Sequence, residues 1–448
     1  MQKMKNGKKV LSVCLSLAMA AGMLSTSAFA SWNVYGGSNN HNAVVTEAPT
    51  APDKSGLDSY IQLHCTGSGW DGVDNVPVLQ TVNGTTYAYV LYDGYGASGA
   101  LVAKIRCAEN GGSSIVWTTD PYGTEGTSLN AKSGFQLSTP YLDDNGTPND
   151  ASDDTLYVGT ISQYDDYEGG EWLTGTGSKV MALTGLDQNK PTVTNVLTGI
   201  NGQINTPITT DGTYLYFGTW PGGSNAGTYY QVKLSDYSVK TFTPDSYGFY
   251  WAGAVSDGTN VYFGSDNGLL YWRSIADFDT TGGVLDLTDV ASDAGNVRST
   301  VMMDEDGFLY FTTQGGYLWC CSMRWVEGLL ECQAGATSTS TPTKVGDRIY
   351  VGYSSFNAGG VGVSRFLLVR MVAAIPFCRS GGHQLPVQSL IVVMGDGTGT
   401  DYQYFNTNAQ IGTATAMTVA FGSRFGHNGR HLRPGRRRDS GYVSSAMT

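Results

Sequence analysis

The stretch Thr209–Thr219 reads TTDGTYLYFGT, and 46 residues on, Val255–Ser265 reads VSDGTNVYFGS. In both, apolar and polar side chains alternate on either side of an Asp-Gly pair, the pattern of two antiparallel strands joined by a tight turn. The hairpin recurs along the chain. VPVLQTVNGTTYAYV begins at Val76, STPYLDDNGTPNDASDDTLYVGT at Ser138, NTPITTDGTYLYFGT at Asn205 and WAGAVSDGTNVYFGS at Trp251. RSTVMMDEDGFLYFTT begins at Arg298, STPTKVGDRIYVGYS at Ser340 and LIVVMGDGTGTDYQYFNT at Leu390. Pro77, Pro140, Pro207 and Pro342 head the first strand, where a missing N–H donor is tolerated. Most copies run on into a third strand, such as GALVAKIRC from Gly99 or GTYYQVKL from Gly227, and several into a fourth, closing at Trp117 or Thr243. Four antiparallel strands per copy predict an all-β chain folded as a β-propeller. Its blades lie near residues 76, 138, 205, 251, 298, 340 and 390, seven in all, or eight if the segment from Trp32 to Thr66 completes one. A sandwich would lack the self-similarity, and a β-helix repeats in shorter units.

Composition supports that reading, since 60 Gly, 27 Tyr and 14% charged residues in 448 suit a turn-rich β protein and exclude both a helical bundle and a disordered chain. Residues 1–30 stand apart. Four lysines precede an apolar stretch from Val10 to Met23, and Ala28-Phe29-Ala30 forms an A-x-A cleavage signal, so a secretory signal peptide ending at Ala30 is expected. The remaining chain divides into a propeller over 31–412 and a basic, irregular tail over 413–448. Six cysteines follow Ala30, too few for a disulfide scaffold. No later stretch reads as a transmembrane anchor, and the expected location is secreted, extracellular or cell-surface. From 31 to 310 there are 32 acidic and 10 basic residues, against 6 and 12 beyond. An acidic body repels nucleic acid and anionic membranes.

PITTDGTYLYFGT with GTYYQVKLSDYSVKTFT, and GALVAKIRCAENGGSSIVW with Trp117 at its close, resemble the PQQ-like, quinoprotein-type propeller repeat. The opening SWNVYGGSNNHNAV, with Trp32, Gly36, Gly37, Asn39 and His41, is similar to the opening segment of exported proteins of that family. The resemblance spans roughly Trp32 to Thr407. It implies the propeller fold, and two alternative functions with it. One is a PQQ-dependent oxidoreductase of the alcohol or sugar dehydrogenase type, whose relatives hold the quinone under a disulfide of adjacent cysteines, over a Trp floor, beside calcium. Cys320-Cys321 after Trp319 matches in outline, with no cation-ligand motif near it. The other is an envelope assembly scaffold, a role exported propellers of this type play.

Three segments depart from the repeat: Cys320 to Ala336, Ser364 to Ser389 and Ser423 to Thr448. They read either as a basic region for an anionic wall polymer or as the product of a local shift in reading frame. GYGASGA at Gly94 to Ala100 contains G-x-G-x-x-G but opens no helix, which excludes a dinucleotide site. His41 and His64 have no nucleophile signature around them, so a hydrolytic triad is not supported. DDNGTPNDASDD sets Asp143, Asn145, Asn149, Asp150 and Asp153 as oxygen donors for calcium, although Gly146 is misplaced for an EF-hand; a solvated hairpin tip is the competing reading.

Propeller geometry adds one expectation. Because each strand reverses direction, the loops between second and third strands share a face with the links between blades. The loops from Tyr92, Ser162 and Trp220 and the link from Asp245 supply Tyr92, Tyr95, Tyr164, Tyr167, Trp172, Trp220, Tyr247, Phe249, Tyr250 and Trp251, beside Asp165, Asp166 and Glu171. Of these, Tyr164, Tyr167, Trp172, Trp220, Tyr250 and Trp251 are the candidate ligand-binding residues, with Tyr250 and Trp251 equally suited to packing between blades. Rings beside carboxylates suit stacking on sugars or an aromatic-anchored protein contact. The expected function is therefore a non-catalytic surface propeller presenting an aromatic, acidic face to a glycan or protein.

Overall fold

A computed structural model describes residues 32–44, 75–93, 100–108, 112–120, 126–129, 138–160, 164–168, 171–174, 177–322, 330–333, 337–345, 348–353, 365–370 and 388–391, with positions 61, 63 and 73. The signal segment, the tail and most of the copy at Leu390 lie outside these residues, as do Tyr95 and His64. Two short 3-10 turns are the only helices among the described residues, and none is long and apolar enough to cross a membrane.

Six four-stranded antiparallel sheets follow one another along the described chain. The first contains β1 (Val78–Val82), β2 (Thr85–Asp93), β3 (Ala100–Cys107) and β4 (Ser114–Thr118). In the second, β5 (Tyr141–Asp143) and β6 (Thr155–Gly159) are followed by a separate hairpin, β7 (Tyr164–Glu168) with β8 (Glu171–Thr174), before β9 (Ser178–Thr184) and β10 (Thr192–Ile200) complete the sheet. The third holds β11 (Thr209–Thr210), β12 (Tyr214–Gly218), β13 (Tyr229–Lys233) and β14 (Val239–Phe242). The fourth is β15 (Val255–Ser256), β16 (Asn260–Gly264), β17 (Leu269–Ser274) and β18 (Gly282–Asp286). The fifth is β19 (Met302–Met303), β20 (Phe308–Thr312), β21 (Tyr317–Ser322) and β22 (Leu330–Gln333). The sixth is β23 (Thr343–Val345), β24 (Arg348–Tyr353), β25 (Arg365–Arg370) and β26 (Gln388–Ile391).

Five cores each lie between two successive sheets, as propeller blades require, and a further cluster lies on the first sheet alone. Tyr89 and Leu91 of the first sheet pack with Leu156 and Val158 of the second, and Tyr157 and Val180 of the second with Leu215 and Phe217 of the third. Tyr229 stacks on Phe263 across the third and fourth, with ring centroids 3.8 Å apart. Leu270 meets Trp319 across the fourth and fifth, and Tyr310 meets Ile349 across the fifth and sixth. A sheet buried on both faces needs apolar residues at successive positions, so its strands lose the in-out alternation.

That loss hides β21 in the sequence. Two segments read in the sequence as breaks in the repeat carry regular strands: Cys320 and Cys321 lie inside β21, and Arg365–Arg370 and Gln388–Ile391 form the third and fourth strands of the sixth sheet. Leu390, read as the head of a seventh copy, pairs with Phe366 in that outermost strand instead.

The recurring Asp and Tyr have one physical job. Asp211 Oδ1 accepts the N–H groups of Thr213 and Tyr214, both at 2.8 Å, while Oδ2 accepts the Tyr216 hydroxyl at 2.8 Å. Asp257 repeats this with Thr259, Asn260 and Tyr262, and Asp304 with Asp306, Phe308 and Tyr310. One carboxylate thus satisfies the turn and ties it to the second strand, which is why the motif returns at fixed spacing.

The opening segment crosses the sheets' inner strands. Trp32 and Leu79 of β1 exchange backbone bonds of 2.8 and 2.7 Å, and Leu142 of β5 donates to Asn33 O at 2.8 Å. Further on, Met303 of β19 donates to Asn40 O, and the Asn42 side chain both donates to Lys344 O at 3.0 Å and accepts from its N–H at 2.8 Å. Residues 32–44 therefore pin the first two described sheets to the last two. Gly36 and Gly37 permit the turn, having φ of 71° and 72°; a Cβ on Gly37 would lie 2.6 Å from the Trp32 ring.

Candidate functional site

Backbone bonds place the loops and links on one face, as the reversal argument required. Gln203, before the third sheet, exchanges two 2.9 Å bonds with Trp220 of the β12–β13 loop. Asp266 of the β16–β17 loop donates to Gly248 O at 3.0 Å, and Gln314 of the β20–β21 loop donates to Asn296 O at 2.9 Å.

On this face the structure brings Trp220, Tyr250 and Trp251 together. The Trp220 and Tyr250 rings meet edge-on with centroids 5.1 Å apart at 76°, and Tyr250 and Trp251 lie 4.5 Å apart at 53°. All three are half-buried. The link that carries Tyr250 and Trp251 is strained, because Tyr247 and Trp251 hold φ of 63° and 60°. A bulky side chain in the left-handed region costs on the order of 1 kcal/mol, and such outliers concentrate at functional sites. Tyr92 and Phe249, expected on this face, are instead buried, Phe249 in the core between the third and fourth sheets and Tyr92 against the first sheet, where large rings gain more from burial than from exposure.

Sequence reasoning missed two members. Arg298 stacks over Tyr250, 4.4 Å from the ring centroid, and its Nε donates to Asp266 Oδ1 at 2.7 Å while Nη2 donates to Oδ2. Burial pushes the Asp266 carboxyl up, with Arg298 and Trp220 pulling it back. Burial lowers the guanidinium, but its bond and attraction to Asp266 outweigh that and leave it raised. The signal for Arg298 lay in the repeat alignment, since Asn205, Trp251 and Arg298 head successive copies at one equivalent position. Asn205 is fully buried, and neither atom of its amide has a partner among the described residues.

Tyr164, Tyr167 and Trp172 form a second group, on the β7–β8 hairpin. Tyr167 pairs with Trp172 and Tyr164 with Thr174.

The oxygens proposed for calcium are engaged by their own turn, save Asn149, which the β1–β2 turn engages. Asp143 accepts from Asn145 N, Asn145 donates to Asp153 O, Asn149 accepts from Asn83 N, Asp150 accepts from Ser152, and Asp153 accepts from Thr147 Oγ1. No group of three or more His, Cys, Asp or Glu side chains able to hold a metal occurs among the described residues. Cys320 and Cys321 are free thiols on opposite faces of β21, one in the core shared with the sixth sheet and one in the core shared with the fourth. Burial pushes them up to about 11 and about 12. They do not fit the adjacent-cysteine disulfide over a quinone that the family resemblance implies. His41 is buried against Val301 O, with Nδ1 at 2.9 Å, and burial pushes it down to about 4. It belongs to the opening segment rather than to this face.

The chain resembles quinoprotein-type β-propellers in its repeats and in the sheets those repeats form. No protein-family model matches the sequence, and no curated protein matches it. Among solved structures it is similar to BamB from Moraxella catarrhalis, with a TM-score of 0.38 and 14% identity over 65% of this chain and 68% of that one. It is similar to a europium-containing methanol dehydrogenase, with a TM-score of 0.43 and 10% identity over 75% and 76% of the two chains. A third is the quinohemoprotein alcohol dehydrogenase from Comamonas testosteroni, at 0.44 and 9% over 77% of this chain and 60% of that enzyme. The chain thus spans less than two thirds of the Comamonas enzyme. At these identities the similarity concerns fold alone.

Proposed function

We propose that this protein is an exported, non-catalytic binding propeller of seven blades, presenting an aromatic, acidic loop face to a glycan or protein at the cell surface or outside it. The observation that carries the reading is the half-buried corner that Trp220 of the β12–β13 loop forms with Tyr250 and Trp251 of a link strained at Tyr247 and Trp251. A scaffold would pack those rings away, and relaxing the backbone with glycine would be the cheaper sequence. The acidic Tyr167–Trp172 hairpin stands between the second and third strands of the neighbouring sheet, and strand reversal would bring it to the same side. Binding of the exported chain to a glycan array, repeated with Trp172→Ala and Trp220→Ala combined, tests this. Retention is expected to fall by about tenfold or more, since truncating buried aromatic anchors costs upwards of 1–2 kcal/mol; unchanged retention refutes it.

A further inference from the structure

The chemistry around the aromatic corner narrows the ligand, on the reading that this face binds one. Arg298 spends Nε and Nη2 on Asp266 and its flat face on Tyr250, which leaves Nη1 without a partner among the described residues. Its side chain is 20% exposed, so those N–H groups reach the surface beside the rings. The positive charge of the guanidinium is cancelled by the Asp266 carboxylate. The corner therefore offers directed donors and apolar ring faces with no net charge of its own. Around it stands a body with 32 acidic and 10 basic residues between 31 and 310, whose field disfavours anions. The rings are set at 76° and 53° to one another and form a corner instead of a flat platform. A corner accepts a puckered ring with a C–H face and polar rim, whereas a flat aromatic or an extended acidic chain gains little from it. We infer that the site binds a neutral sugar ring, whose C–H face lies against Trp220, Tyr250 and Trp251 and whose hydroxyl oxygen accepts from Arg298 Nη1.

Calorimetric titration of the full exported chain with cellohexaose, mannohexaose and hexagalacturonate, each at low and high NaCl, tests the inference. A neutral oligosaccharide is expected to bind with an affinity that salt leaves unchanged, because no charge is neutralised on binding. Arg298→Lys keeps the charge opposite Asp266 but removes the free planar donors, and is expected to weaken binding about tenfold or more. Trp251→Gly removes one ring and relieves its left-handed backbone, so it is expected to lose binding while the thermal midpoint holds or rises. Failure of both neutral hexasaccharides to bind overturns the inference. If hexagalacturonate or a protein partner binds instead, and Trp251→Gly abolishes that binding, the sugar assignment falls while the binding face stands. If no binding responds to Trp251→Gly or to Trp220→Ala, both fall.

Discussion

The third to fifth sheets and the junction of the first two handle the same difficulty, a carboxylate beside a buried tyrosine, in opposite ways. In the later sheets each Asp serves its own turn: Asp211, Asp257 and Asp304 each collect two backbone N–H groups and one tyrosine hydroxyl from within eight residues, and only Asp304 of the three also reaches the next sheet, accepting from Lys344 Nζ at 2.6 Å. At the first junction the partners come from different blades. The Tyr89 hydroxyl donates to Gln80 Oε1 at 2.9 Å, and the Gln80 amide donates to Asp154 Oδ2. Asp154 is fully buried, and its Oδ1 has no partner among the described residues. Burial, the largest cause, pushes its carboxyl up to about 6. Lys104, also buried, donates from Nζ to Leu186 O at 2.8 Å and lies over the Tyr87 ring; burial lowers its ammonium pKa. A polar group satisfied locally is indifferent to how blades meet, whereas one satisfied across blades makes their docking depend on charge.

The largest effect is expected from Gln80→Leu. It strips the donor from Asp154 and the acceptor from Tyr89, and leaving a buried charged group without a partner costs about 3 kcal/mol; chemical denaturation of the protein measures it. A cost no greater than that of Tyr216→Phe would erase the contrast.

The pH dependence comes next. Because the folded Asp154 pKa is raised from 3.8 to about 6, the folded state binds the proton more tightly than the unfolded chain does. Stability therefore falls as pH rises from about 4 to about 6 and stays lowered above that, by up to about 3 kcal/mol at ~1.4 kcal/mol per unit. Melting midpoints from pH 4.5 to 7.5, compared with those of Asp154→Asn, isolate the contribution, and the two profiles are expected to differ in that window.

The smallest effect belongs to the clasps. Tyr216→Phe is expected to cost about 1 kcal/mol, and Tyr262→Phe the same. Each clasp closes within its own hairpin, so the double variant is expected to show their sum within about 0.5 kcal/mol. A coupling well beyond that would mean that the clasps, like Asp154, report on neighbouring blades.

Much of this was legible in the residues. TTDGTYLYFGT announced a hairpin, and its recurrence announced a ring of similar sheets, because alternation and turn chemistry act within a dozen residues. The shared loop face followed from strand reversal alone. The corner was only half legible: Trp220, Tyr250 and Trp251 could be named, while Arg298 was marked only by its place at the head of a copy and nothing tied it to Asp266, 32 residues away. The strands around Cys320 were misread as a break because burial on both faces of β21 erases the alternation by which a half-exposed strand is recognised.

By itself the sequence determined the all-β character, the position of each Asp-clasped turn and the side on which the aromatic loops emerge, since these depend on neighbours along the chain. Only the tertiary structure decided that Tyr35 would meet Thr341 and Asn42 would bracket Lys344, contacts spanning 306 and 302 residues. It likewise decided that the two adjacent cysteines would part into separate cores. Such pairings follow from which faces of successive sheets are pressed together and drained of water, and that is a property of the assembled ring.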